Sequence, residues 1–199
     1  HVVDDDESLR LALVRLLEAA GFEARSYASA GDFLLQPVPD RRGCLLLDVR
    51  MPGPSGLDLQ AALPAHKVGL PVIFMTGFAD VPTSVRAMKA GAVDFLEKPV
   101  QRQDLLDAIG RALQRDERQR RERDELERLQ QRFALLTPRE QEVLEEVVAG
   151  KLNKQIATVL QVSERTVKTL RAQGMDKLGA TTSAELGALM ERLRQGPQA

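Results

Sequence analysis

The sequence of 199 residues has a single cysteine and no long run of apolar residues. One cysteine, Cys44, excludes an internal disulfide and is typical of a protein from a reducing compartment, where we expect Cys44 as a small core residue. A helix that spans a bilayer needs about 20 apolar residues, so the sequence predicts no membrane partner. No basic-then-apolar leader is visible at HVVDDDE, so we expect a cytoplasmic protein without a signal peptide.

The sequence also lacks an excess of either sign of charge, since its net charge is −1. This value by itself does not indicate a nucleic-acid partner. The distribution is more informative, since residues 1–113 carry 12 Lys/Arg and 15 Asp/Glu, whereas residues 151–178 carry six basic and two acidic residues. An acidic front part and a locally basic rear part predict two different tasks.

Strand-like and helix-like segments alternate over residues 1–113. The predicted strands are VV, FEARSY, CLLLD, PVIFMTG and VDFLEKP, and a helical pattern follows each of them. Apolar strands that alternate with helices are typical of a parallel sheet covered on both faces. We therefore predict an α/β domain over this part of the chain.

The rest of the chain is predicted to be helical. Thirteen of the nineteen residues in 114–132 are charged, which favours a solvated helical linker over 114–133 that continues the fifth helix. Leu126, Leu129 and Phe133 form an apolar stripe that leaves a dimerising coil open, although it is too short to predict one. Residues 134–199 show four helices, and the first of them starts with Thr137 as the N-cap and Glu140 closing a capping box. The helix NKQIATVL, the turn QVS and the next helix form a helix-turn-helix pattern.

Charged and hydroxyl side chains follow four of the predicted strands. Asp4 and Asp5 follow the first strand, Asp48 the third, Thr76 the fourth and Lys98 the fifth. The carboxyl ends of neighbouring parallel strands meet at one edge of a sheet, so we expect these groups to converge. Clustered carboxylates repel one another unless a hard cation such as Mg²⁺ (or Mn²⁺) joins them. The pattern predicts a phosphoryl-transfer site with Asp48 as the nucleophile.

Two sets of motifs resemble known families. VVDDDES, LLLDVRMPGPSG, FMTG and AMKAGAVDFLEKP resemble the receiver domain of two-component response regulators, and the segment from TPREQEVL to MDKLGA resembles the LuxR/NarL/FixJ-type DNA-binding domain. The layout is most similar to the FixJ subfamily. The resemblance implies a flavodoxin-like (βα)5 doubly wound receiver domain (1–113), a long linker helix and a four-helix helix-turn-helix domain (134–199).

The resemblance also implies roles for the residues at the metal and phosphate site. Asp48 matches the phosphorylated aspartate and a Mg²⁺ ligand, and Asp5 matches a direct ligand. Asp4 acts mainly through water, and the backbone carbonyl of Arg50 is the third protein ligand. Lys98 matches the lysine that pairs with the phosphoryl group. Beyond its own phosphorylation and dephosphorylation, no enzyme activity is implied.

A switch and its partners are implied as well. Thr76 matches the switch hydroxyl and Phe95 the switch aromatic, and the bond between Lys98 and Pro99 is expected to be cis. The face built from the fourth helix, fifth strand and fifth helix is the family's usual dimer surface. The implied partners are a sensor histidine kinase, a second copy of the chain on phosphorylation, promoter DNA with an inverted repeat, and RNA polymerase.

The predicted recognition helix covers residues 164–178, with Val167, Leu170 and Leu178 on its inner face. Its outer face and the preceding helix supply the DNA contacts that we predict: Lys168 and Thr169 to base edges, Ala172 to apolar groups, and Arg165, Lys154 and Arg171 to phosphates. Two residues depart from the family pattern, Leu170 and Gly174. Gly174 costs about 1 kcal/mol relative to alanine, and it predicts either a softer helix or close packing on a neighbour.

Two alternatives stay open at this stage. A phosphatase or phosphotransferase of the haloacid-dehalogenase type also uses a strand-end aspartate, but it needs a second aspartate where Arg50 stands. A regulator whose helical domain acts by protein interaction, or binds DNA independently of phosphorylation, is the other alternative. Gly174 and the near-neutral balance of residues 137–199, with nine basic and eight acidic residues, leave this alternative open.

Overall fold

The computed structural model describes residues 1–36, 42–78 and 80–196. The chain divides into two compact units, of which the first ends at Gln119 and the second begins at Arg120. In the described residues, no helix combines the length and the apolar character that a membrane crossing requires.

The first unit is built on a parallel sheet. Its five strands are β1 (Val2–Val3), β2 (Ser26–Tyr27), β3 (Leu45–Asp48), β4 (Val72–Thr76) and β5 (Asp94–Glu97). They are ordered β2-β1-β3-β4-β5, and every pair is parallel. This order confirms the predicted flavodoxin-like fold. The second strand is much shorter than predicted, because Phe22 and Ala24 pack against the core without pairing to β1.

Helices cover both faces of the sheet, as predicted. They are α1 (Glu7–Ala19), α2 (Ala30–Leu35), α3 (Gly56–Ala62), α4 (Val81–Lys89) and α5 (Arg102–Ala134). Leu45 and Leu47 of β3 belong to the cluster that includes residues of α2, α3 and α4, whereas Leu46 belongs to the cluster with α1 and α5. This alternation follows from the two-residue period of a strand. Cys44 is buried in the second cluster, which confirms its predicted place in the core.

The second unit is helical. It contains α6 (Pro138–Val148), α7 (Asn153–Leu160), α8 (Glu164–Leu178) and α9 (Ser183–Gln195). Leu129 of α5 is buried in their shared core, and Phe133 packs against the same core. Two residues of the apolar stripe, Leu129 and Phe133, therefore pack within the helical unit. The helix α5 runs unbroken from Arg102 to Ala134, so no helix end marks residue 113 or residue 133. The predicted division into 1–113, 114–133 and 134–199 stays a prediction.

Candidate functional site

The carboxyl ends of the central strands lie side by side. Asp48 is the last residue of β3 and is paired with Met75 of β4, and the amide of Val49 donates to the carbonyl of Met75 over 3.0 Å. The amide of Lys98 donates to the carbonyl of Thr76 over 2.7 Å, which joins the end of β5 to the end of β4. The predicted site residues are thus placed at one edge of the sheet.

Three carboxylates gather at this edge. One carboxylate oxygen from each of Asp4, Asp5 and Asp48 lies within 4.8 Å of the other two. Asp4 and Asp48 are buried, with 0% and 6% of their surface exposed, whereas Asp5 is exposed. The ammonium group of Lys98 lies 2.6 Å from Asp4 Oδ2 and 3.1 Å from Asp48 Oδ1. One lysine beside three acids leaves an excess of negative charge, which suits a hard divalent cation.

The charges perturb one another. Burial raises the pKa of Asp48 and the neighbouring Asp4 adds to this, while Lys98 and a hydrogen bond from the backbone of Arg50 act in the opposite direction. For Lys98, burial by itself would lower the pKa. The hydrogen bond to Asp4 and the charges of both carboxylates outweigh burial, so the pKa of Lys98 lies above its ordinary value.

The loop that carries Asp4 and Asp5 is fixed by Asp6 and Arg10, which the motifs did not indicate. The amide of Asp6 donates to Asp4 Oδ1 over 3.0 Å, and Asp6 itself caps α1 by accepting from the amide of Leu9 over 3.1 Å. The guanidinium of Arg10 donates to the backbone carbonyl of Asp4 over 2.7 Å. The third aspartate of the DDD run therefore serves the helix, and Arg10 holds the loop from α1.

The predicted switch residues, Thr76 and Phe95, contact Phe78 and Phe74. Thr76 is buried, and its hydroxyl donates to the carbonyl of Phe78 over 3.1 Å and accepts from the amide of Phe78 over 3.3 Å. Phe95 is partly buried beside Phe74, with ring centroids 6.1 Å apart. The guanidinium of Arg50 lies 5.2 Å from the centroid of the Phe78 ring. The peptide bond between Lys98 and Pro99 is cis, as the resemblance implied.

The helix-turn-helix geometry follows the predicted boundaries. Gln161 ends α7 in the left-handed conformation with φ 55°, and Ser163 begins α8 by accepting from the amide of Thr166 over 3.0 Å. Val167 and Leu178 are buried, and Leu170 packs against the same core. The inner face of α8 is thus the predicted one.

The outer face of α8 is exposed to solvent and does not pack against the core. The exposed residues include most of the predicted DNA contacts, namely Arg165, Lys168, Thr169 and Ala172 on α8 and Lys154 on α7. Lys168 lies 3.7 Å from Glu164, and both side chains are largely exposed, so this ion pair contributes little. These residues stay predicted DNA contacts.

Arg171 differs from the other predicted contacts, because it is half-buried and bonded on both sides. Its Nη1 donates to Asn153 Oδ1 over 3.1 Å and its Nη2 donates to Ser183 Oγ over 2.8 Å. The guanidinium therefore links α8 to the first residues of α7 and α9. A phosphate contact at this residue stays a prediction, in competition with this role between helices.

Gly174 is buried where α8 crosses α6. A Cβ atom there would lie 2.9 Å from Leu144 Cδ1 and 3.1 Å from Leu144 Cγ. Leu144 therefore occupies the space that a side chain at position 174 would take. Close packing is the explanation of this departure from the family pattern.

A buried ion pair in the helical unit was not predicted. Glu140 closes the predicted capping box with Thr137, and the ammonium of Lys177 lies 2.6 and 2.8 Å from its two oxygens. Glu140 is 3% exposed, so the pair fixes the start of α6 to the end of α8. The hydrogen bond from Lys177, with those from Thr137, holds the pKa of Glu140 below its usual value.

Comparisons with known proteins find a matching family for each of the two units. The model of the response regulator receiver domain matches residues 1–110, and that of bacterial regulatory proteins of the luxR family matches residues 134–190. Nodulation protein W of Bradyrhizobium diazoefficiens is 44% identical over 96% of this chain and 85% of its own length. Transcriptional regulatory protein FixJ of Azorhizobium caulinodans is 45% identical over 94% of this chain and 88% of its own length. The low-resolution structure of response regulator StyR is 47% identical over 96% of both chains, with a TM-score of 0.83.

Proposed function

We propose the function of this chain from its family, since it belongs to the two-component response regulators that join a receiver domain to a LuxR-type DNA-binding domain. The protein regulates transcription. Asp48 accepts a phosphoryl group from a sensor histidine kinase, and this modification controls dimerisation and sequence-specific DNA binding. The convergence of Asp4, Asp5, Asp48 and Lys98 at one sheet edge is the observation that carries the proposal. Membership of this family also sets aside the dehalogenase-type phosphatase.

The phosphoryl transfer uses the carboxylate of Asp48 as the nucleophile. One of its oxygens forms a bond to phosphorus while the bond between phosphorus and the imidazole nitrogen of the donor breaks, and the electron pair leaves with that nitrogen. Lys98 neutralises negative charge on the transferred group, for which it must exchange its contact with Asp4 for one with a phosphoryl oxygen. The chemistry of the protein is confined to its own phosphorylation and dephosphorylation.

The carboxylate group fits Mg²⁺ or Mn²⁺, because hard oxygen donors from three acids lie within reach of one another. Asp5, Asp48 and the backbone carbonyl of Arg50 would hold the ion, and Asp4 would act through water. When bound, the ion supplies positive charge that offsets the repulsion between the acids and the phosphoryl group.

The switch joins this site to the surface. Thr76 exchanges its bonds to the backbone of Phe78 for a contact with the phosphoryl group, and Phe95 turns inward. The affected surface is formed by α4, β5 and α5. On α4, Val81, Val85 and Met88 follow one another at spacings of four and three residues and are 74%, 43% and 46% exposed. Such an apolar stripe supports dimerisation through this face.

The DNA function rests on the exposed outer face of α8. A recognition helix with exposed basic and small residues fits the major groove, and a dimer of such units fits an inverted repeat. Contact with RNA polymerase and a cytoplasmic location complete the proposal.

Phosphorylation of the full chain tests this function. Wild type, Asp48→Asn and the control Asp124→Asn, which changes an exposed aspartate of the second unit, are incubated with Mg²⁺ and acetyl phosphate, and their intact masses are compared. We expect one labile phosphoryl group on wild type and on the control, and none on Asp48→Asn. Failure of wild type to take up phosphate while DNA binding persists would favour a regulator that works independently of phosphorylation.

A further inference from the structure

The backbone of Asp48 lies directly against the first residue of α3. The amide of Gly56 donates to the carbonyl of Val49 over 3.1 Å. A Cβ atom at position 56 would stand 2.2 Å from the carbonyl oxygen of Asp48 and 3.1 Å from its carbonyl carbon. Side chains do not approach a backbone that closely, so this contact requires glycine.

The strand side of the contact cannot withdraw easily. β3 is a central strand that pairs with both β1 and β4, and its last residue, Asp48, is held in register with Met75. Leu47 is fully buried, and its Cγ would lie 3.0 Å from the same Cβ atom. A displaced strand end would disturb pairing on both sides and the packing beneath it.

The helix side is anchored as well. Ser55 and Asp58 form a capping box in which the amide of Ser55 donates to Asp58 Oδ2 over 2.9 Å and the amide of Asp58 donates to Ser55 Oγ over 3.2 Å. Leu59, in the first turn, is 1% exposed in the core of the sheet. The start of α3 is thus fixed against the end of β3 with no space between them.

We infer that Gly56 is a positioning residue for phosphoryl transfer, which sets the location of the Asp48 carboxylate relative to Asp4, Asp5 and Lys98. The inference rests on the proposed function of Asp48. Any side chain at this position must move either the strand end or the helix start by the better part of an ångström. A misplacement of about 1 Å at a reacting group can lower a rate by about 100-fold.

The test compares full-length wild type with Gly56→Ala and a matched glycine variant, Gly110→Ala. Position 110 is a helical glycine in the same unit, where a Cβ atom would meet nothing within 4 Å. The rate of phosphorylation by acetyl phosphate and the affinity for Mn²⁺ alone are measured, with circular dichroism to show that each variant is folded. We expect Gly56→Ala to lose about 100-fold in rate and to bind Mn²⁺ more weakly, and Gly110→Ala to match wild type.

A second pair of variants removes atoms and therefore cannot clash. Ser55→Ala loosens the start of α3, and Ser29→Ala removes the equivalent cap of α2, where Ser29 Oγ accepts from the amide of Asp32 over 3.1 Å. We expect only Ser55→Ala to lower the phosphorylation rate, by roughly threefold. Should Gly56→Ala be folded and react within about twofold of wild type, or should Ser55→Ala and Ser29→Ala react equally, the inference is overturned. Wild type that takes up no phosphate would instead count against the proposed function.

Discussion

Replacing Gly174 by alanine should destabilise the helical unit, although alanine favours a helix. The intrinsic preference for alanine is worth about 1 kcal/mol. Against it stands a Cβ atom 2.9 Å from Leu144 Cδ1, in a core where Leu144 is 0% exposed and must shift to admit the new methyl group. Overpacking of this kind costs about 1–3 kcal/mol. We expect a net loss of about 1 kcal/mol in the free energy of unfolding of this unit.

The sign of the effect should reverse when the obstacle is removed. Leu144→Ala deletes the side-chain atoms nearest to position 174, and by itself it should cost about 2–5 kcal/mol. In the Leu144→Ala background, alanine at position 174 still favours the helix and also fills part of the cavity. Gly174→Ala should therefore raise the free energy of unfolding of the helical unit by about 1–2 kcal/mol. The coupling energy between the two positions should therefore be about 2–3 kcal/mol.

Hydrogen exchange of the full chain, read by mass spectrometry at peptides from α6 and α8, measures this cycle. Because the chain has two compact units, exchange in these helices reports on the helical unit separately. Gly187→Ala in α9 is the control, since a Cβ atom there would meet nothing within 4 Å. Gly187→Ala should slow hydrogen exchange, because alanine favours a helix and meets no obstacle there. If Gly174→Ala also slowed exchange, the packing argument would be refuted.

Three further predictions concern the two functional sites and the buried acid. Lys168→Ala should lower the binding free energy for a preferred DNA site by roughly 1–3 kcal/mol and relax sequence preference, whereas Lys154→Ala should weaken binding to all sequences alike. Fluorescence anisotropy at several salt concentrations measures both effects, and uniform weakening by Lys168→Ala or lost sequence preference in Lys154→Ala would contradict the assignments. Arg50→Ala and Phe78→Ala remove the stacked pair beside the phosphoacceptor and should change the rate of acyl-phosphate hydrolysis, so unchanged dephosphorylation in both would contradict this role. The lowered pKa of Glu140 stabilises the folded state above the ordinary pKa of a glutamate, near 4.5, and this contribution is lost as the pH falls through the folded value. Glu140→Gln should therefore be less stable than wild type at neutral pH, and denaturation curves should show the difference shrinking in acid.

Local patterns were sufficient where residues close in sequence determine the structure. The apolar runs that end in Asp48 and Thr76 predicted adjacent parallel strands, and the structure has them paired in that order. The capping box from Thr137 to Glu140 likewise depends on residues three apart. FEARSY was overpredicted as a strand, because apolar residues at Phe22 and Ala24 indicate burial but not pairing.

Contacts between distant residues could not be predicted. Lys98 was expected at the phosphate site, but its bond to Asp4 joins residues 94 positions apart. The role of Arg171 between helices depends on partners 18 and 12 positions away. The tight contact at Gly56 depends on how closely a helix approaches a strand, which a single glycine after MPGPS does not reveal.

The central claim is that phosphorylation of Asp48 controls assembly and DNA binding. Sedimentation velocity of wild type and Asp48→Asn, with a labelled duplex that carries a selected binding site, measures both in one experiment. With Mg²⁺ and acetyl phosphate, wild type should sediment as a dimer and bind the duplex more tightly, whereas Asp48→Asn should do neither. Wild type that carries the phosphoryl group but stays monomeric with unchanged affinity for the duplex would contradict the account.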